Sequence, residues 1–209
     1  MLRILIADDH SIVRRGIIQI LNEHYSNAIL EEVADADAMI SAVMKKKWDL
    51  IISDLSMPGR SGLDVLPQIK QINPELPILI MSIHPEDQYA IRVLKAGASG
   101  YLSKDLAPEE LINAVQKVLS GRKYITPRIA EKLILTIHGE QDQLPHQSLS
   151  DREYAVFSMI SKGTTISEIA EALHLSPTTV STYRSRILQK MDLKNNSELT
   201  VYAIQNNLI

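Results

Sequence analysis

A doubly wound α/β domain followed by a small all-α domain is the fold class this sequence predicts, on three observations. Five short apolar runs read as strands: Leu2–Ala7, Ile29–Val33, Leu50–Ser53, Ile78–Ser82 and Gly100–Ser103. The segments between them have helical periodicity. Beyond a polar stretch, the last part of the chain shows only helical stripes and caps. Five strands alternating with five helices predict a parallel sheet covered on both faces. Right-handed crossovers limit the topology. The expected order is the flavodoxin-like 2-1-3-4-5, a (βα)5 domain.

In chain order, the first strand ends in Asp8-Asp9, and a stripe of Ile12/Val13, Ile17 and Ile20/Leu21 follows. The third ends in Asp54, then Leu55-Ser56-Met57-Pro58-Gly59 turns into a helix carrying Leu63, Leu66 and Ile69/Ile72. The fourth ends in Ser82, before Tyr89/Ala90 and Val93/Leu94. The fifth ends in Ser103-Lys104, before Leu111/Ile112, Val115 and Val118/Leu119. Pro127–Ile137 has helical spacing, with Gly139 as its stop, and His138–Gln147 reads as a flexible linker with little to bury. The expected divisions are a first domain at 1–121, a linker helix and linker at 122–147, and a second domain at 148–209.

Composition narrows the partners. Net charge is −3; residues 1–147 carry 16 basic and 19 acidic side chains, and 148–209 carry six of each. Neither part is basic enough to bind polyanions without a local patch. There is no Cys, hence no disulfide framework or thiolate nucleophile. The six His residues are scattered without metalloprotease-type spacing. No apolar run approaches the roughly 18 residues that span a bilayer, and the N-terminus becomes acidic too soon for a secretory signal. A cytoplasmic location and no membrane contact are expected.

In the 2-1-3-4-5 order the polar strand ends crowd around Asp54. Carboxylates this close repel one another unless a cation joins them. A hard divalent ion such as Mg2+ (or Mn2+) suits oxygen donors. Lys104 supplies a positive charge and Ser82 a hydroxyl, which together suit a phosphoryl group, with Asp54 as nucleophile forming an acyl phosphate. No Gly-rich phosphate loop is present, so a nucleotide is not the obvious donor. Singly, Asp54 could be a turn former, Asp8-Asp9 a helix cap, Ser82 a turn hydroxyl and Lys104 a surface lysine.

Ala7-Asp8-Asp9-His10, Ser53 to Gly59, Ser82 and Gly97-Ala98-Ser99-Gly100-Tyr101-Leu102-Ser103-Lys104 together resemble a bacterial response-regulator receiver domain over residues 1–121. The resemblance implies that Asp54 is the phospho-acceptor. It implies Mg2+ ligands at Asp8, Asp9, Asp54 and the Ser56 carbonyl, with Lys104 and Ser82 on the phosphoryl oxygens. Tyr101 is implied as a switch aromatic that turns inward when Ser82 engages phosphate; read from the residues alone, it could be a structural edge-strand Tyr.

In the second domain, Ser150/Glu153 and Thr165/Glu168 form capping boxes, and Gly163 ends the first helix. Ser176 caps a third helix with Pro177 in its first turn, and Ser197 can cap a fourth. A short helix, a tight turn and a longer helix make a helix-turn-helix. The third helix buries Val180, Ile187/Leu188 and Met191. It leaves Thr178, Ser181, Thr182 and Ser185 outward, flanked by Arg184, Arg186 and Lys190, with Lys194 just beyond. Small hydroxyls suit a major groove and the cations suit phosphates, although the same face could simply be solvated.

Leu149 to Glu153, Ile166 to Ala170 and Leu175 to Ile187 resemble the LuxR/NarL-type DNA-binding domain (NarL/FixJ family). That implies contacts to double-stranded DNA from Thr178, Thr179, Ser181, Thr182, Tyr183, Arg184, Ser185, Arg186 and Lys190. Relatives often carry Lys where Ser181 and Ser185 stand, so the sequence read here is open. The combined expectation is a phosphorylation-regulated, non-enzymatic transcription regulator. A sensor histidine kinase or small phosphodonor serves it, and phosphate drives homodimerisation on the fourth-helix and fifth-strand face or releases the DNA-binding domain. The alternatives are a receiver that acts as a phosphorylation-independent dimerisation module, and a haloacid-type hydrolase.

Overall fold

The computed structural model describes residues 1–105, 107–137 and 144–209. They divide into two compact units, Met1–Ile134 and Leu135–Ile209. The expected stop at Gly139 and most of the expected linker, residues 138–143, lie outside the described residues.

The first unit is built on β1 (Arg3–Ala7), β2 (Ile29–Val33), β3 (Leu50–Asp54), β4 (Ile78–Ser82) and β5 (Gly100–Ser103). All pairings are parallel and the order is β2-β1-β3-β4-β5, as the sequence predicts. Around it lie α1 (Ser11–His24), α2 (Ala36–Lys45), α3 (Gly62–Ile72), α4 (Glu86–Lys95) and α5 (Pro108–Leu119), followed by α6 (Pro127–Ile137), which runs across the division.

The central strands are apolar along their length because both faces are covered. Ile4, Ile6, Leu50 and Ile52 pack with Ile17 and Leu21 of α1 and with Val115 and Val118 of α5. The register brings Ala7 opposite Ser53, Asp54 opposite Met81 and Ser82 opposite Ser103. The polar residue that ends each buried run therefore reaches the same rim of the sheet.

The second unit has a 3-10 turn at Pro145–Ser148, then α7 (Asp151–Ser161), α8 (Ile166–Ala172), α9 (Pro177–Met191) and α10 (Asn196–Gln205). Both expected capping boxes form, and Ser176 Oγ accepts from Thr179 N. Two expectations need correction. Ser197 lies inside α10; the cap is Asn195, extended at φ −155°, whose side chain accepts from Glu198 N. Residues 145–147 are part of the folded unit rather than linker, because His146 is buried and its Nδ1 lies 2.9 Å from the Tyr202 hydroxyl. Phe157, Ile169, Val180, Ile187 and Leu199 are each fully buried in this unit.

Candidate functional site

The rim of the parallel sheet gathers four ionisable side chains. One ligand atom from each of Asp8, Asp9, His10 and Asp54 lies within 4.8 Å of the others. Asp8 and Asp54 are almost wholly buried, at 1% and 4% exposure. Lys104 Nζ bridges them, 2.7 Å from Asp8 Oδ2 and 2.8 Å from Asp54 Oδ2. Backbone groups position the rest. His10 N donates to Asp8 Oδ1 at 2.8 Å, Ser56 N donates to Asp54 Oδ1 at 3.2 Å, and Arg14 donates to the Asp8 carbonyl at 2.6 Å.

Burial pushes the Asp54 carboxyl above its ordinary value; Lys104 pulls it down through a hydrogen bond and charge, and Asp8 adds repulsion. Burial also disfavours the Lys104 ammonium, but its bonds to Asp54 and Asp8 outweigh this and hold it above the usual lysine value. Lys104 is therefore a fixed positive charge between two desolvated carboxylates.

The fit to a cation rests on the donor set. Asp8 Oδ2 and Asp9 Oδ1 are buried and accept from no backbone donor. Their close neighbours are the Lys104 ammonium and the His10 ring. Three carboxylates with spare lone pairs form a cluster that could bind a metal ion.

Ser82, 1% exposed, closes β4, and its Oγ accepts from His84 N at 3.0 Å. Tyr101 is already buried, and its hydroxyl donates to the His84 carbonyl at 2.7 Å. Desolvation pushes that phenol up to about 12, so it stays a donor. His10 entered the sequence reading only as part of the Ala7–His10 motif, and His84 was not singled out, because a search for paired-His metal spacing does not see a lone histidine that the fold brings beside a serine hydroxyl. His84 Nε2 lies 3.1 Å from Ser56 Oγ, so it links the loops after β3 and β4.

In the second unit, Thr178, Ser181, Thr182, Ser185, Arg186 and Lys190 of α9 are exposed, and Thr179, Tyr183 and Arg184 are half-buried. Thr182 and Ser185 donate their hydroxyl protons to the carbonyls of Thr178 and Ser181. Outward they offer acceptor lone pairs. Thr179 Oγ1 is tied to the cap Ser176 at 2.8 Å. Arg184 Nε donates to Asn196 Oδ1 at 2.6 Å, and Lys190 Nζ pairs with the buried Glu153 at 2.6 Å.

Burial disfavours the Glu153 anion, but its bonds to Lys190 and Ser150 prevail and hold the carboxyl below its ordinary value. A depressed carboxyl stabilises the fold above its unfolded value and loses that contribution as pH falls through the folded one. The α7 and α9 amides should therefore exchange faster as pH drops below the ordinary value of 4.5, after correction for intrinsic rates. Glu153→Gln should flatten that dependence; an unchanged acid limb in the variant would assign it elsewhere.

Comparison with known families gives the deciding observation. The family model described as the response regulator receiver domain matches residues 4–116, more than half of the chain. The chain belongs to the response-regulator family. A second model, for bacterial regulatory proteins of the luxR family, matches residues 147–203. Response regulator UvrY of Escherichia coli K12 is 36% identical over all of this chain and 96% of its own. Oxygen regulatory protein NreC of Staphylococcus carnosus is 36% identical over all of this chain and 99% of its own. Among solved structures, RcsB from Salmonella enterica serovar Typhimurium, bound to promoter rprA in the presence of phosphomimetic BeF3-, is similar at 28% identity. It covers 97% of this chain and 98% of its own, with a TM-score of 0.62.

This response regulator is accordingly a phosphorylation-regulated DNA-binding transcription regulator of a two-component system, of the LuxR/NarL helix-turn-helix type. Among the described residues, no helix is long and apolar enough to cross a membrane.

Proposed function

We propose that Asp54 is the phospho-acceptor of this response regulator, and that phosphoryl transfer to it sets the state of the receiver. The observation that carries the reading is the Lys104 bridge between Asp8 and Asp54 at the ends of adjacent strands. A carboxylate oxygen of Asp54 attacks phosphorus. The bond from phosphorus to the donor, a kinase histidine nitrogen or the acyl oxygen of a small phosphodonor, breaks, and the donor keeps the electron pair. Lys104 and Ser82 then hold the phosphoryl oxygens, and Lys104 offsets the added negative charge.

Asp8, Asp9, Asp54 and the Ser56 carbonyl would hold Mg2+ (or Mn2+), which when bound supplies charge neutralisation between the carboxylates and the phosphoryl group. Tyr101 buries its ring beside the Ser82 loop and holds that loop through the His84 carbonyl.

Output runs through residues 145–209, joined to the receiver at 1–121 by residues 122–144. On α9 the hydroxyls of Thr178, Ser181, Thr182 and Ser185 face base edges, with Thr179 beside them and Tyr183, Arg184 and Arg186 at the DNA backbone. Lys190 contributes least, being already paired. Val201 and Ile204 of α10 are 53% and 59% exposed, which suits pairing of two copies on DNA half-sites. We read the chain as a cytoplasmic regulator without turnover of an external substrate.

Incubation with acetyl phosphate and Mg2+ tests this. Intact mass should show one phosphoryl group on the unmodified chain and none on Asp54→Asn, and light scattering should show association only in the former. Equal labelling of both would remove Asp54 as acceptor, and catalytic hydrolysis of aryl phosphates would turn the reading to a hydrolase.

A further inference from the structure

The chain leaving α5 does not swing free of the receiver. Tyr124 forms a parallel bridge with Gly100 on the outer edge of β5, and its N–H donates to the Ser99 carbonyl at 2.8 Å. The approach is so close that a Cβ on Gly100 would lie 2.8 Å from the Tyr124 carbonyl oxygen. The Tyr124 hydroxyl donates to Glu110 of α5, and Lys117 lies over its ring. Ile129, in the first turn of α6, is 1% exposed.

Thr126 joins this segment to α4. Its carbonyl accepts from Ala130 N at 3.0 Å and its hydroxyl accepts from Ile129 N at 3.4 Å, which closes the first turn of α6. The same hydroxyl donates to Glu86 Oε1 at 2.8 Å. One hydroxyl can do both, since it has one proton and two lone pairs. Glu86 is the first residue of α4, two residues beyond His84. His84 in turn holds Ser82 Oγ through its N–H and the Tyr101 hydroxyl through its carbonyl. Hydrogen bonds, joined by the two-residue step along the chain from His84 to Glu86, thus lead from the Ser82 hydroxyl to the start of α6.

We propose that the Glu86–Thr126 hydrogen bond is the output coupling of the receiver: it ties α6 to the start of α4, so occupancy of Asp54 is read as a change in how firmly α6 is held. This rests on Asp54 being the phospho-acceptor. The bond has a charged acceptor and sits at a helix terminus, where local opening is least costly. Its loss should raise opening of the first turn of α6 on the order of tenfold.

The test is hydrogen exchange of the α6 amides in the full chain, with and without acetyl phosphate and Mg2+, with phosphoryl stoichiometry read by intact mass on the same samples. In the unmodified chain, α6 exchange should differ between the two states. Glu86→Ala, which leaves the Thr126 cap in place, should take up phosphate equally. It should exchange about tenfold faster without phosphate and lose the dependence on it. Thr126→Ser, which keeps the hydroxyl, should behave like the unmodified chain. Full dependence in Glu86→Ala, or none in a fully phosphorylated unmodified chain, overturns the coupling. A chain that takes up no phosphate overturns the Asp54 reading and the coupling with it, and the mass shows this before any exchange is compared.

Discussion

Replacement of Lys104 by Met should destabilise the receiver by about 3 kcal/mol in metal-free buffer, the lower end for breaking one side of a buried ion pair. It should also slow phosphorylation by acetyl phosphate about 100-fold, the effect of losing one charge-stabilising partner in a transition state. The Lys104 side chain is 12% exposed, and those of Asp8 and Asp54 are 2% and 4% exposed. Without the ammonium, two desolvated carboxylates face each other, and Asp54, already above its ordinary value, is pushed further up. The two effects separate on adding Mg2+. A divalent ion among the carboxylates should restore most of the stability, read as the urea midpoint, but not the rate, because the partner of the phosphoryl oxygens is still missing. Full recovery of both would reduce Lys104 to a mere counter-charge. In the unmodified chain the Lys104 contribution follows the raised-lysine sign: complete below the ordinary lysine value, and lost as pH rises through the higher folded one.

Gly62→Ala should be nearly as damaging, from a residue with no polar side chain at all. An added Cβ would lie 2.2 Å from the Asp54 carbonyl oxygen and 2.9 Å from Ser53 Oγ. Gly62 N donates to the Leu55 carbonyl at 2.9 Å, so the loop after Asp54 folds back onto the strand end that bears it. The clash is with backbone and cannot be relieved by a rotamer. A loss of about 2–3 kcal/mol is expected, in the range for forced overpacking. Phosphorylation should slow more than tenfold, since misplacement of reacting groups by about 1 Å is enough for such losses. Thermal melting and a phosphorylation time course on the same preparation measure both. A variant that melts lower but phosphorylates at the normal rate would show that the loop moves without carrying Asp54.

The fold was largely legible because burial on both faces makes each central strand a continuous apolar run with a polar residue where it emerges. Asp54, Ser82 and Lys104 could be placed at one rim from that pattern alone. The helix α2 was less visible: its cap Asp35 and its buried Met39, Ile40 and Val43 became evident only in the structure. The cap of α10 was misplaced by two residues, because Asn195 and Ser197 are both capable caps. The left-handed turn at Asp192, φ 53°, precedes the extended Asn195 that takes the cap. The pairs Ser56–His84, Glu86–Thr126 and Arg184–Asn196 join segments 12 to 40 positions apart. Local pattern carries no information about such distances. Gly62 could not have been found by chemistry, since its role is the absence of an atom.

The pairing of Lys190 with Glu153 bears on how the second unit answers to salt. Each DNA phosphate that a protein neutralises sends roughly 0.9 of a condensed counterion into solution, which makes affinity fall with ionic strength. A cation contributes to that slope only if its charge is still uncompensated when DNA arrives. Arg184, which donates to the neutral amide of Asn196, and Arg186 are the cations proposed to lie at the DNA backbone, and their contribution to the slope should remain. Lys190 has already exchanged its counterion for a carboxylate within the folded domain. The steepness of salt dependence therefore undercounts the basic residues of α9, because part of their electrostatic work was completed at folding.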